Sequence, residues 1–239
     1  MGSVGSTKGR RERLRAETTA EIKKVALELM ASGGPDAITL RAIAREMGMT
    51  ANAIYGYFAT RDDLVTTLIK SVYTSLADTV DTAWEATPVH DPAARIQGWA
   101  CAFRDWALAN PEGFRLIYGD PVPGYRPPEG GAAPDAAHRV CTGITALAAA
   151  AWPQAELRYT DSDFEWSDFD PGLLSKVRPA FPELPPAAVA LALRIWSHLH
   201  GLVSLEIYGH LQTQALSPEK LFREELAQLI RSLGIAPRK

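Results

Sequence analysis

The sequence of 239 residues predicts an all-α fold in two parts. Three observations predict it. Ile22, Val25, Ala26, Leu29 and Met30 recur at i, i+3, i+4, i+7 and i+8, the spacing of a helix with one buried face. The run from Thr39 to Leu64, TLRAIAREMGMTANAIYGYFATRDDL, holds two capped segments about a glycine, as two short helices joined by a tight turn do. Beyond residue 75, long apolar patterns rich in aromatics alternate with Gly- and Pro-rich breaks, and no strand alternation persists.

The first helix buries its apolar stripe and stops at Gly33 and Gly34. Thr39 caps the second, which carries Leu40, Ile43, Ala44 and Met47 on one face. Gly48 ends it, because glycine takes the left-handed conformation that closes a helix, and Met49 behind it tucks into the core. Thr50 caps a third helix that is expected to reach Phe58. That helix buries Ile54, Tyr57 and Phe58 and leaves Ala51, Asn52, Ala53 and Tyr55 facing outward. Small and polar residues on an exposed face let a helix sit deep in a major groove. Thr60 with Asp63 makes another capping signature, from which Leu64, Leu68, Ile69 and Val72 continue a long helix.

A helix over Ala93 to Ala109 gathers Ile96, Trp99, Ala100, Phe103, Trp106 and Ala107 on a broad face. Asn110-Pro111 forces a break before a short helix with Phe114, Ile117 and Tyr118, and the stretch GDPVPGYRPPEGGAAP is too rich in Gly and Pro to be regular. The next helix runs from about Asp135 to Ala151 with Val140, Ile144 and Leu147 inward. An acidic aromatic stretch with Asp161, Asp163, Glu165, Asp168 and Asp170 reads as loop, with a short helix near Leu173 to Val177. Two helices close the chain, Ala187 to His210 and Pro218 to Leu233. On the first of them Trp196, His200, Val203 and Ile207 share one face.

With 46% hydrophobic and 22% charged residues the chain can bury a core, and two domains are expected. No stretch is read as the roughly 20 apolar residues that cross a bilayer. The N-terminus is polar and charged, unlike a signal peptide, so a cytoplasmic protein with no membrane partner is expected. The net charge of −3 conceals an asymmetry: residues 1–70 carry 11 Lys and Arg against 8 Asp and Glu, whereas the remainder is acidic. Lys8, Arg10, Arg11, Arg13 and Arg15 form a basic arm, either a flexible solvated tail or a contact to phosphate or the minor groove. Cys101 and Cys141 read as reduced core thiols. His198 and His200, two apart on a helix, project to different sides and make no metal site. There is no nucleophile elbow, phosphate loop or metal-ligand spacing, so no catalytic residue, cofactor or metal is expected.

The segments T-L-R-A-I-A-R-E-M-G-M-T, A-I-Y-G-Y-F and R-D-D-L together resemble the N-terminal domain of the TetR family of transcriptional repressors, in register over about a quarter of the chain. Gly56 departs from the pattern, where the family more often has a bulkier residue; a glycine inside a helix costs about 1 kcal/mol relative to alanine, which loosens its end. The resemblance implies that Thr39 and Arg61 grip backbone phosphate and that Thr50, Tyr55 and Tyr57 line the groove surface. Thr50, Ala51, Asn52 and Ala53 are the base-edge candidates, with Asn52 suited to adenine and Ala51 or Ala53 to a thymine methyl. Arg41 joins the DNA-binding set, and Tyr57 reads better as a core plug than as a base reader.

The sequences WSHLHGLVSLEIYG and ANPEGFRLIYGDPVPGY resemble the subgroup named for Trp, His and Gly, here Trp196, His200 and Gly201. This implies a C-terminal helical domain that binds a small effector and dimerises through its last two helices as a four-helix bundle. Expected effector-lining residues are Trp99, Phe103, Trp106, Phe114, Ile117, Tyr118, Ile144, Trp196, His200 and Val203. Gly201, Leu205, Tyr208, Leu226 and Leu229 are expected at the dimer interface. The domain expectation is a flexible arm over 1–15, a helix-turn-helix domain over 16–62 and an effector and dimerisation domain over 63–239. The functional expectation is a ligand-responsive regulator, a repressor that binds a palindromic operator in double-stranded DNA as a homodimer and is released by a largely apolar effector. The alternatives are an activator, a DNA binder that senses nothing, and a small-molecule enzyme.

Overall fold

Six of the helices begin on a proline, whose fixed φ suits the first helical position and whose missing N–H is not needed there. The computed structural model describes residues 4–235, with side chains from Gly9 onward. Ten α-helices and no strand occur among the described residues. They are α1 (Val4–Gly33), α2 (Leu40–Glu46), α3 (Ala51–Tyr55), α4 (Arg61–Glu85), α5 (Pro92–Ala109), α6 (Pro111–Tyr118), α7 (Pro134–Ala155), α8 (Pro171–Ala180), α9 (Pro186–Ile207) and α10 (Pro218–Ser232). Short 3₁₀ turns lie at Pro35–Ala37, Glu156–Arg158 and Trp166–Asp168.

The chain divides into two compact units. The first takes the chain up to Tyr73 together with Asn110–Pro134, and the second takes Thr74–Ala109 with everything from Asp135. The boundary after Tyr73 lies within α4, not at the 62/63 position expected from the sequence, and the first unit also includes α6 and the Gly/Pro-rich segment after it.

In the first unit α1 packs on α2 and α6, and α2 on α3. Its core comes from Ile22, Ala26 and Met30 of α1, Ile43 and Ala44 of α2, Ile54 of α3 and Leu64, Val65 and Leu68 of α4, all buried. In its described part the basic arm is helical: α1 runs from Val4, and Arg10, Arg11, Arg13 and Arg15 are exposed on it. The Lys8 side chain lies outside the described residues.

The segment after α6 is irregular but pinned. Thr66 and Tyr125 hydroxyls meet at 2.9 Å, the Arg126 backbone N–H donates to Asp62 at 3.3 Å, and Arg61 donates to the Pro123 carbonyl at 2.8 Å. Val122 is buried as the apolar anchor of the same segment.

In the second unit α5 packs on α9 and α10, and α10 on α9. Ile96, Trp99 and Phe103 of α5, Leu147 of α7, Ile195, Leu199 and Val203 of α9 and Phe222 of α10 are buried. A satellite cluster about Phe169, Val177, Leu184 and Val189 seats α8, with Trp152 and Trp166 against it. Arg104 is the buried charge of α5: it donates through Nε and Nη2 to both carboxylate oxygens of Glu206 at 2.9 and 2.7 Å and lies over the Phe222 ring. Arg139 of α7 bridges Asp78 and Asp81 of α4 at 2.6–2.7 Å.

By length and composition α9 could cross a bilayer, with a mean hydropathy of 1.3 over its best window, which corrects the expectation that no stretch qualifies. Its apolar face is core: Leu191, Ile195, Leu199 and Val203 are each at most 1% exposed, and the Glu206 carboxylate is engaged by Arg104.

Candidate nucleic-acid interface and effector core

The turn between α2 and α3 is built as the sequence requires. Thr39 is extended and its hydroxyl accepts the Ala42 N–H at 3.1 Å. Gly48 takes a φ of 63°, and the Met49 N–H reaches back to the Ala44 carbonyl at 2.8 Å, the bond that closes a helix through a left-handed residue. Thr50 is extended again and accepts the Ala53 N–H at 3.2 Å, which starts α3 one residue later.

α3 ends at Tyr55, shorter than the expected Phe58. Gly56 is therefore the residue that caps the helix, in right-handed conformation, and the interior-glycine penalty does not apply. Ile54 anchors α3 at zero exposure, while Thr50, Asn52 and Tyr55 stand outward and Ala51 and Ala53 are half-buried between them. Arg41 is exposed on α2. Tyr57 is half-buried, with the Arg15 guanidinium 4.9 Å from its ring centroid, in keeping with a packing role. These residues form one outward surface of small side chains, hydroxyls, an amide and a tyrosine, with cations at its margins.

Arg61 differs from the role the resemblance gave it. Three of its five N–H donors serve carbonyls inside the unit: Ile38 at 2.7 Å, Pro123 at 2.8 Å and Pro35 at 3.1 Å. It is a clamp across the entry to α2, a contact type with no signature in sequence because its acceptors are backbone.

The expected effector residues fall into both units. In the second, Trp99 stacks on Phe103 at 5.6 Å, Phe103 meets Trp196 edge-on at 5.3 Å, and Trp196 meets the His200 ring at 4.9 Å. Ile144 and Val203 are buried in the same unit. His200 Nδ1 lies 3.3 Å from the Ser204 hydroxyl, and burial lowers its pKa, favouring the neutral ring. The Trp99 indole nitrogen is buried with no hydrogen-bond partner, and a Cβ at Gly143 would come within 3.0 Å of it. Trp106 instead donates to the Ser75 hydroxyl at 3.0 Å.

Phe114, Ile117 and Tyr118 belong to the first unit. There Phe114 is fully buried and lies 5.1 Å from the Tyr118 ring, and Tyr118 meets Tyr73 edge-on at 6.2 Å. Burial, reinforced by Tyr73, pushes the Tyr118 phenol well above its ordinary range. These rings pack as core of that unit.

Of the expected dimer residues, Leu205 and Tyr208 are exposed at 42% and 43%, as is Leu193 earlier on α9. A Cβ on Gly201 would meet nothing within 4 Å, so Gly201 opens outward instead of accommodating a neighbour in its own subunit. Leu229 is half-buried. Leu226 is corrected: at 2% exposure it belongs to the subunit's own core.

Carboxylates of the acidic stretch serve as helix caps. Asp168 accepts the Glu165 N–H at 2.8 Å and Asp170 caps α8 through the Gly172 N–H at 2.8 Å. Cys101 and Cys141 are half-buried free thiols, and burial raises both pKa values, which makes them poor nucleophiles.

Two family models match the chain. The one described as bacterial regulatory proteins, tetR family, covers residues 22–68, and the one described as tetracyclin repressor-like, C-terminal domain, covers 96–229. The HTH-type transcriptional regulator Rv1816 of Mycobacterium tuberculosis is 32% identical over 95% of this chain and 96% of its own. Mb1846 of Mycobacterium bovis, also an HTH-type transcriptional regulator, matches to the same extent. Among solved structures, the regulatory protein SCO4313 superposes with a TM-score of 0.70 at 36% identity, covering 92% of this chain and 98% of that one. A tetR-family regulatory protein from Rhodococcus RHA1, at 19% identity and a TM-score of 0.60, shares the fold. The relatives are transcriptional regulators, and α2, the Gly48 turn and α3 occupy the matched N-terminal span. The chain belongs to the TetR family of DNA-binding transcriptional regulators.

Proposed function

We propose that the protein is a ligand-responsive repressor that binds a palindromic operator as a homodimer in the cytoplasm and leaves it when a small, largely apolar effector binds. The observation that carries the reading is the outward face of α3, where Thr50, Asn52 and Tyr55 are exposed beside the small Ala51 and Ala53. Bulk at those two alanines would hold the helix off the base edges. Asn52 has the amide geometry for adenine, the alanines suit a thymine methyl, and Thr39 and Arg41 lie where phosphates would pass.

Dimerisation through α9 and α10 is supported by the exposed line of Leu193, Leu205 and Tyr208 with the open Gly201 between them. Two recognition helices then have to stand about 34–36 Å apart to enter successive major grooves. The Trp99, Phe103, Trp196 and His200 cluster supports an effector that is apolar or aromatic and uncharged, with Trp196, His200 and Gly201 as the subgroup pattern. α4 is a single helix shared by both units, and it is the element through which the effector would alter reader spacing. By linkage, operator DNA weakens effector binding by the same factor.

The test is selection of bound duplexes from a random pool with the mass of the complex measured alongside. An enriched palindrome held by dimers supports the reading. No enrichment at low salt overturns it.

A further inference from the structure

We propose that Arg15 is a positioning residue for the DNA-reading helix: its guanidinium closes the C-terminal end of α3 and sets how Asn52 and Tyr55 are presented to the operator. The proposal rests on the reading that α3 enters the major groove. α3 has five residues, so it has little internal bonding to hold its last turn. A helix end leaves carbonyls without intrahelical partners. The Gly56 carbonyl at that end receives the Arg15 Nη2 donor at 2.9 Å, from 41 residues away in sequence.

The same guanidinium lies 4.9 Å from the Tyr57 ring centroid, so one side chain holds the residue that caps α3 and the residue after it. A cation there also suits the negative end of the helix dipole. Gly56 has no side chain to shield its carbonyl, which is where this chain departs from the bulkier residue common in the family. The partner that meets that carbonyl stands outside the family's matched span, which begins at residue 22.

Arg15 as a phosphate ligand is the competing role, and salt dependence separates the two. The full-length protein is titrated by fluorescence anisotropy with the selected operator and with an unrelated duplex over a range of salt. The variants are Arg15→Ala, Tyr57→Leu, the double variant and Tyr55→Ala. A positioning residue gives about a tenfold loss on the operator, from one charge-assisted hydrogen bond and one cation–π contact, with non-specific affinity and salt slope unchanged. The double variant then loses little more than either single one. A salt slope shallower by about 0.9 for each phosphate that the protein no longer neutralises, with equal losses on both duplexes, overturns the proposal. Loss with Tyr55→Ala but none with Arg15→Ala overturns the proposal alone, whereas undiminished operator binding by Tyr55→Ala overturns the α3 reading beneath it.

Discussion

Arg61→Ala separates an internal clamp from a phosphate ligand. Arg61 donates to carbonyls of Ile38, Pro123 and Pro35, of which the first and last contacts are partly buried and the Pro123 contact is exposed. A buried hydrogen bond to a charged group contributes about 1.5–3 kcal/mol, and partial exposure reduces this to about 1 kcal/mol for each contact here. The substitution therefore lowers unfolding free energy by about 3 kcal/mol, and Arg61→Lys, which keeps the charge but not the fork, loses about two-thirds of that. The assay is urea unfolding followed by circular dichroism at fixed protein concentration, paired with operator binding as a function of salt. An unfolding free energy within about 0.5 kcal/mol of the parent, together with a salt slope shallower by about 0.9 for each protomer, would refute the reasoning and return Arg61 to phosphate contact.

Further outcomes are expected. Thr50→Ala and Tyr55→Ala weaken operator binding in gel-shift titrations without unfolding the protein, while Trp196→Ala spares DNA binding and blunts release by effector. Arg104→Met strands the Glu206 carboxylate and costs about 3 kcal/mol by urea unfolding, and the Arg104→Met, Glu206→Met double variant regains most of it because two apolar side chains need no partner. Leu205→Glu places a charge on the exposed line of α9, so light scattering finds monomers that retain their circular dichroism spectrum. His200 has a folded pKa below its ordinary 6.5 because it is buried, so the unfolded chain takes up a proton that the folded chain refuses. Stability is lost as pH falls below about 6.5 and levels off beneath the folded pKa, and His200→Gln flattens that part of the profile in a pH series of urea melts.

The local chemistry of the reader was legible in sequence because each signal is made by the residue that uses it. Thr39 and Thr50 cap with their own hydroxyls, and Gly48 takes the backbone angle that only it adopts cheaply. The starts of α5, α7 and α9 were legible to within one residue: each begins on the proline just before the expected position, where proline fits the first turn. The clamps were not legible. Arg15 and Arg61 donate to carbonyls, and every residue carries a carbonyl, so no acceptor marks the sequence. Arg104 left a trace, a charge beside the apolar stripe of Ile96, Ala100, Phe103 and Ala107, although its partner Glu206 stands 102 residues away. The segment after α6 was legible as irregular because Gly and Pro exclude a helix, but not the hydroxyl, N–H and carbonyl contacts that pin it.

The same bonds bear on how a regulator of this kind could be switched. Within the first unit α4 is held through Arg61 and Thr66, and within the second through Ser75 by Trp106 and through Asp78 and Asp81 by Arg139. Thr66 and Ser75 are nine residues apart, about 13 Å along a helix. Between those ties α4 has no proline to bend it, and Leu68 and Val72 are buried. The stretch of α4 between those two sets of polar contacts is what, on the proposed function, would carry displacement from one to the other. On the proposed function, an effector that moves α5 or α7 pulls α4 through Ser75 or through Asp78 and Asp81, and Arg61 carries the pull to Ile38 at the entry to α2. Arg139→Ala should therefore weaken the effector's grip on operator release while leaving operator affinity without effector unchanged. Equal effector response in that variant would move the coupling to Trp106 and Ser75 or away from α4.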